Sequence, residues 1–182
     1  YAAMAQALTD AQADGQVRSV LITGQPGIFT SGNDLEDFMS RPPGQGSEPA
    51  VGIGTTLLLH CDFVYVSDEA RLSMPFTSLG LVPEFASSLL VPQLMGQRRA
   101  AEKLLLGDPF TGEQAVECGI ANAVLPAGEV LPYARRVAER FNHLPPGADG
   151  LHHQLALGRT HEALGVAHRP GRQLVEAFGH PS

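Results

Sequence analysis

Three short stretches of this chain carry residue types that could do chemistry. Ser31-Gly32-Asn33-Asp34 and Gly52-Ile53-Gly54-Thr55 each set glycine beside a helix start. The first NH groups of a helix have no carbonyl a turn earlier to bind, and the helix start is positively polarised. Such a turn can therefore hold an oxygen that is gaining negative charge. Taken singly, each stretch reads equally as an ordinary glycine turn. The third stretch is Val82-Pro83-Glu84-Phe85. A carboxylate flanked by three apolar residues is partly desolvated, which raises its pKa toward the range useful to a base, whereas the plain alternative is a solvated loop glutamate.

Other polar clusters read as structure. Asp34 fits a helix cap before Leu35. His60 and Cys61 follow Leu57, Leu58 and Leu59 on an apolar helix face, where core is the expectation over a metal or thiol site. His161-Glu162 with His168 lacks the spacing of a HExxH zinc motif, and the His152-His153 pair belongs to the surface. No metal ligands are assigned. The segment from Gly24 to Phe29 lacks the lysine of a phosphate-binding loop.

These stretches need elements to position them. Residues 1 to 13 show a helical stripe at Met4, Ala7, Leu8 and Ala11. Val17, Val20, Leu21 and Ile22 form a short apolar run of the kind found in strands buried on both faces. Residues 40 to 49, with three prolines and two glycines, read as a loop. Residues 54 to 62 are helical in character, and FVYVSD reads as a second buried strand. Two helical stretches follow, the second stopped by Gly107. Thr111 then caps a short helix that carries Glu113, and a strand-like IANAVLP precedes an amphipathic helix from Glu129 to Leu144. The Ala- and His-rich tail reads as helical. Alternating strands and helices imply an α/β domain with parallel pairing, in which loops carry the function.

Composition bounds the function classes. The 182 residues are 43% hydrophobic and 17% charged, an ordinary globular balance for about one domain. Twelve basic against 19 acidic residues leave a net charge of -7, which argues against nucleic acid as partner. A small anion needs only a local cluster, and Arg98, Arg99 and Lys103 offer one. Two cysteines without CxxC spacing, Cys61 and Cys118, read as reduced, buried and inert, which places the protein inside the cell, in the cytoplasm. The apolar runs are far shorter than the ~18 residues of a membrane span.

FTSGNDLEDF resembles the loop of the crotonase (enoyl-CoA hydratase/isomerase) superfamily that supplies the first oxyanion NH. PAVGIGTTLLLHCD is similar to the loop that supplies the second. The resemblance continues through FVYVSDEARLSMPF, LGLVPEFASS and RRAAEKLLLGDPFTGEQAVECGIANAVLP, so that it spans roughly residues 17 to 142. It implies a ββα spiral core of the ClpP/crotonase type over 1–142, with a C-terminal helical segment over 143–182 that serves assembly and covers CoA. It also implies strands before Tyr1, more of the last helix after Ser182, and several tens of residues, including a strand, where only ten separate Phe38 from Pro49. The backbone NH groups of Asn33 and Ile53 become the oxyanion donors. Ser31, Gly32, Asp34, Gly52, Gly54 and Phe76 become substrate-contacting positions. The substrate is an acyl-CoA thioester, coenzyme A arrives as part of it, and no cofactor is permanently bound. Family members assemble as trimers or dimers of trimers.

The family's hydratases use two glutamates, and the matching positions here are Thr56 and Phe76. Glu84, eight residues after Phe76, matches the single catalytic glutamate of the peroxisomal-type isomerases that convert 3-enoyl-CoA to 2-enoyl-CoA, and the Gly32-Asn33-Asp34 sequence resembles the same branch. The expectation is an isomerase in which Glu84 moves a proton from C2 to C4 of an enolate held by two NH groups. The alternatives are hydration or another crotonase reaction, with Glu84 acting alone on water, and a catalytically silent acyl-CoA-binding or scaffold protein.

Overall fold

The computed structural model describes residues 2–24, 29, 49–145 and a strand at 173–177. Helix α1 (Ala2–Ala13) follows the alanine-rich stripe and ends before Gly15. Strand β1 (Arg18–Ile22) pairs in parallel with β7 (Gln173–Ala177), in register from Arg18 opposite Gln173 to Ile22 opposite Ala177. This strand corrects the helical expectation for the tail, because parallel pairing depends on a partner far away in sequence rather than on local periodicity. Nor is β1 buried on both faces. Val17 is buried, but Val20 is 37% exposed, and β7 is its one strand partner among the described residues.

Strand β2 (Pro49–Val51) lies parallel to β4 (Arg71–Ser73), and β4 is antiparallel to β5 (Phe110–Thr111). Strand β3 (Tyr65–Ser67) lies parallel to β6 (Ala123–Leu125). The strand expected to be missing before the second glycine turn is thus present, in Pro49 to Val51 themselves, at the end of the segment read as loop. FVYVSD is strand only over Tyr65–Ser67, preceded by a buried Val64 and a Phe63 that is 49% exposed.

Helix α2 (Ile53–Leu58) follows β2 directly. Helix α3 (Ser87–Met95) leads into α4 (Gln97–Ala101), which continues as a π turn over Glu102–Leu106. Gly107 ends the turn at φ 72°, and a Cβ there would lie 2.9 Å from the Pro75 Cα. Positive φ and a close backbone approach both require glycine, as the sequence implies. Helix α5 (Gly112–Glu117) opens on a capping box whose partner is Gln114 rather than Glu113. The Gln114 NH donates to Thr111 Oγ1 at 3.3 Å, and the Thr111 NH donates to Gln114 Oε1 at 2.9 Å. Helix α6 (Ala127–Arg140) ends in a 3₁₀ turn at Phe141–His143.

The chain divides into two compact units, Tyr1–Thr23 with Leu131–Ser182, and Gly24–Val130. In the first, the Arg18 guanidinium donates to the Leu144 carbonyl at 2.9 Å. The second holds a core of Leu58, Leu72, Met74, Phe76, Val91 and Phe110, joined by Ala100, Ala115 and Ile120. All the described site residues belong to this second unit.

Candidate active site

Gly52 makes the turn from β2 into α2. Its φ of 56° and ψ of -114° lie where L side chains are strained, yet a Cβ would meet nothing within 4 Å. Backbone conformation alone therefore demands glycine there. The Gly52 NH extends the ladder by donating to the Ser73 carbonyl at 3.0 Å. Thr55, fully buried, donates its hydroxyl to the same carbonyl at 3.0 Å and accepts the Ser73 NH at 3.2 Å. The NH groups of Thr55 and Thr56 both close on the Gly52 carbonyl at 3.0 Å. Ile53 and Gly54 come first in the helix, so their NH groups have no intrahelical acceptor. The start of α2 is thereby tied to β4, and among the described residues no acceptor meets the NH groups of Ile53 and Gly54.

Past β4 the chain makes a 3₁₀ turn at Thr77–Leu79, tied down by the Thr77 hydroxyl on the Leu104 carbonyl at 2.9 Å, and reaches Glu84 through an open loop. Glu84 is half-buried. Of its expected apolar neighbours, Val82 is 81% exposed and Phe85 44%. The desolvating shell read from the sequence is therefore not closed over the carboxylate by its own loop.

The backbone here is unusual. Phe85 and Ala86 take φ of 55° and 53°, two successive non-glycine residues in the left-handed region, at a cost of about 1–2 kcal/mol each. Such a conformation persists only where the surroundings dictate it, and three consecutive carbonyls are bonded. The Glu84 carbonyl accepts the Ser87 NH at 3.0 Å and the Ser87 hydroxyl. The Phe85 carbonyl accepts from His60 Nε2 at 2.8 Å. The Ala86 carbonyl accepts the NH groups of Leu89 and Leu90 at 3.0 Å. The His60 and Phe85 rings meet edge to face, with centroids 4.8 Å apart.

Other expected residues fall elsewhere. Phe76 is a core residue, 4% exposed, and Thr56 is fully buried, so neither position offers a carboxylate or an open polar group. Ser31, Gly32, Asn33 and Asp34 lie outside the described residues, as do His152, His153, His161, Glu162 and His168. Of the cationic cluster, Arg98 and Arg99 are exposed. Lys103 is buried, paired with Glu102 Oε1 at 2.8 Å and set over the Phe110 ring, while the Arg99 guanidinium donates to the Glu117 carbonyl. Cys61 and Cys118 are free thiols. Burial, with a smaller contribution from the Asp62 charge, pushes the Cys61 thiol up to about 11. His60, read from the sequence as plain core, is half-buried and bonded across 25 residues. No local signal could have found that partner.

The family model for enoyl-CoA hydratase/isomerase matches residues 45–150, more than half of the chain. This chain belongs to that family. The enoyl-CoA hydratase/isomerase family accounts for the crotonase-like α/β fold, including the glycine turn and the glutamate loop within the matched stretch. Human enoyl-CoA delta isomerase 2 is similar at 31% identity over 90% of this chain and 49% of its own length. The structure of Pseudomonas aeruginosa OdaA superposes with a TM-score of 0.78 at 48% identity, covering 88% of this chain and 74% of that one. An enoyl-CoA hydratase/isomerase from Pseudoalteromonas atlantica superposes with a TM-score of 0.81 at 34% identity, covering 91% and 74%. The chain spans about half the length of the human relative. That alignment runs over 193 positions, more than this chain's 182 residues, so the human protein has residues within the matched stretch that find no counterpart here.

Proposed function

We propose that this protein isomerises a 3-enoyl-CoA thioester to its conjugated 2-enoyl form, with Glu84 as the proton shuttle. The observation that carries the reading is the one half-buried carboxylate among the described residues, on a loop whose carbonyls 84 to 86 are all hydrogen-bonded, while the two positions where hydratases of the family place carboxylates hold a buried threonine and a core phenylalanine. A hydratase needs acid and base groups around a water. An allylic isomerase needs one group that takes the C2 proton and returns it to C4.

In this mechanism the thioester oxygen sits on the NH groups of Ile53 and Asn33. Deprotonation at C2 by the Glu84 carboxylate moves charge onto that oxygen, and the preorganised donors stabilise it. Removing one such donor typically costs about 3–4 kcal/mol. The protonated Glu84 then delivers its proton to C4, leaving the double bond between C2 and C3 and the carboxylate restored. Coenzyme A enters and leaves with the substrate, and the working form is a trimer or a dimer of trimers. Similarity to a delta isomerase supports this reading, whereas the mixed hydratase/isomerase name of another relative keeps hydration as the second one.

The test is the rise in absorbance as 3-enoyl-CoA becomes conjugated, measured for the full chain and for Glu84→Gln. Isomerase turnover that falls by about 10²–10⁴-fold in the variant, with acyl-CoA binding retained, bears the proposal out. No turnover in the unmodified protein, with acyl-CoA still bound, overturns it and leaves the silent binder or another reaction of the family.

A further inference from the structure

We infer that His60 is a positioning residue that holds the Glu84 carboxylate in its working direction, an inference that rests on Glu84 being the proton shuttle. Phe85 and Ala86 occupy left-handed backbone that neither residue favours, and they follow Glu84 immediately. Among the described residues, the other hydrogen bonds to carbonyls 84 to 86 come from Ser87, Leu89 and Leu90, all within four residues. His60 alone of these donors reaches in from another element, with Nε2 2.8 Å from the Phe85 carbonyl and its ring against the Phe85 ring. It converts a locally strained turn into one referenced to the rest of the fold.

The element that His60 references is α2. His60 lies in the turn that ends this helix, its NH donating to the Leu57 carbonyl at 3.0 Å, while Ile53 begins it. At ~1.5 Å rise per residue the two are about 10 Å apart along one short rod. The residue that presents the oxyanion NH and the residue that holds the base loop are thus tied together by one helix. A carbonyl can only accept, so Nε2 must carry a hydrogen. The Nε2-H neutral form and the imidazolium both satisfy the bond, and the Nδ1-H tautomer does not. Misplacing a reacting group by about 1 Å costs on the order of 10²-fold in rate. Loss of the His60 bond should therefore appear in kcat with little change in acyl-CoA affinity.

The test uses the full chain with His60→Leu and His60→Gln, read by amide hydrogen exchange over residues 83–90, by isomerisation kcat and by acyl-CoA Kd. Expected for His60→Leu are exchange faster by about tenfold or more in that segment and kcat lower by roughly 10–100-fold at near-constant Kd. His60→Gln, which keeps a donor of similar reach, should recover a large part of both. Unchanged exchange and kcat in His60→Leu overturn the inference. Should the leucine variant fail to fold, nitrogen NMR of the unmodified protein decides: a protonated Nε2 supports the tie to Phe85, and an Nδ1-H tautomer overturns it. If the unmodified protein does not isomerise 3-enoyl-CoA yet exchange rises as expected, the proposed function fails while the tie between His60 and the glutamate loop stands.

Discussion

The glycine turn into α2 and the glutamate loop before α3 are held by different kinds of force. The turn is a continuation of sheet pairing: β2 lies in register with β4, the Gly52 NH extends that ladder, and a buried threonine hydroxyl closes it. Its one special conformation falls on glycine, where positive φ carries no side-chain strain. The glutamate loop takes part in no strand pair among the described residues, places its special conformations on Phe85 and Ala86, and is held by side-chain donors from Ser87 and His60. Under the proposed function, backbone pairing suits NH groups that need only hold an oxygen gaining charge, and a loop held by a few side-chain bonds suits a carboxylate that reaches two carbons of one substrate.

The sharpest way to break this contrast is at the residues to which the proposed function assigns the chemistry. Glu84→Gln is expected to lower turnover by about 10²–10⁴-fold. Gly52→Ala forces a Cβ onto φ 56° and ψ -114° at about 1–3 kcal/mol. Should the Ile53 NH lose its aim as a result, kcat falls by roughly 10²–10³-fold; steady-state kinetics beside a thermal melt separates the two effects. Thr55→Val leaves the Ser73 NH without its hydroxyl partner, so chemical denaturation should show a loss of about 1–3 kcal/mol.

Ala86→Gly acts in the opposite direction. Glycine accepts φ 53° freely, so stability should rise by about 0.5–1 kcal/mol, or a few degrees in Tm. A melt that falls instead would show that the loop is not paying for its backbone. The smallest effect concerns Cys61. Because burial lifts its thiol to about 11 from an ordinary 9.0, the folded state keeps a proton that the unfolded state sheds between those values. Stability is therefore fully present below pH 9.0 and declines as pH rises toward about 11. Labelling of Cys61 by a thiol reagent at neutral pH should be slow in the native protein and fast once it is unfolded.

How far the sequence could be read followed how local each cause was. Gly107 stopping a helical stretch, Thr111 capping α5 and the stripe of α1 all act within a few residues, and each is where the sequence implies. Strand β7 departs from the helical expectation for the tail, because the composition of residues 173–177 carries no mark of the β1 edge that pairs with them. Of the Arg98, Arg99 and Lys103 cluster, the sequence gives no sign that Lys103 is buried, because its burial against Phe110 depends on β5. Glu84 could be singled out from its motif, but the apolar neighbours that should have enclosed it are largely exposed.

What the sequence determined by itself is the family resemblance, the glycine that must turn the chain into α2, and the Val82-Pro83-Glu84-Phe85 motif that singles out a candidate base. These follow from residue types and short spacings, which act through backbone conformation and local hydrogen bonds. The tertiary structure alone decided that Phe85 and Ala86 take left-handed backbone and that His60 reaches across 25 residues to hold them. Neither residue favours that conformation, so it exists only where a distant donor and a folded core make the alternative worse.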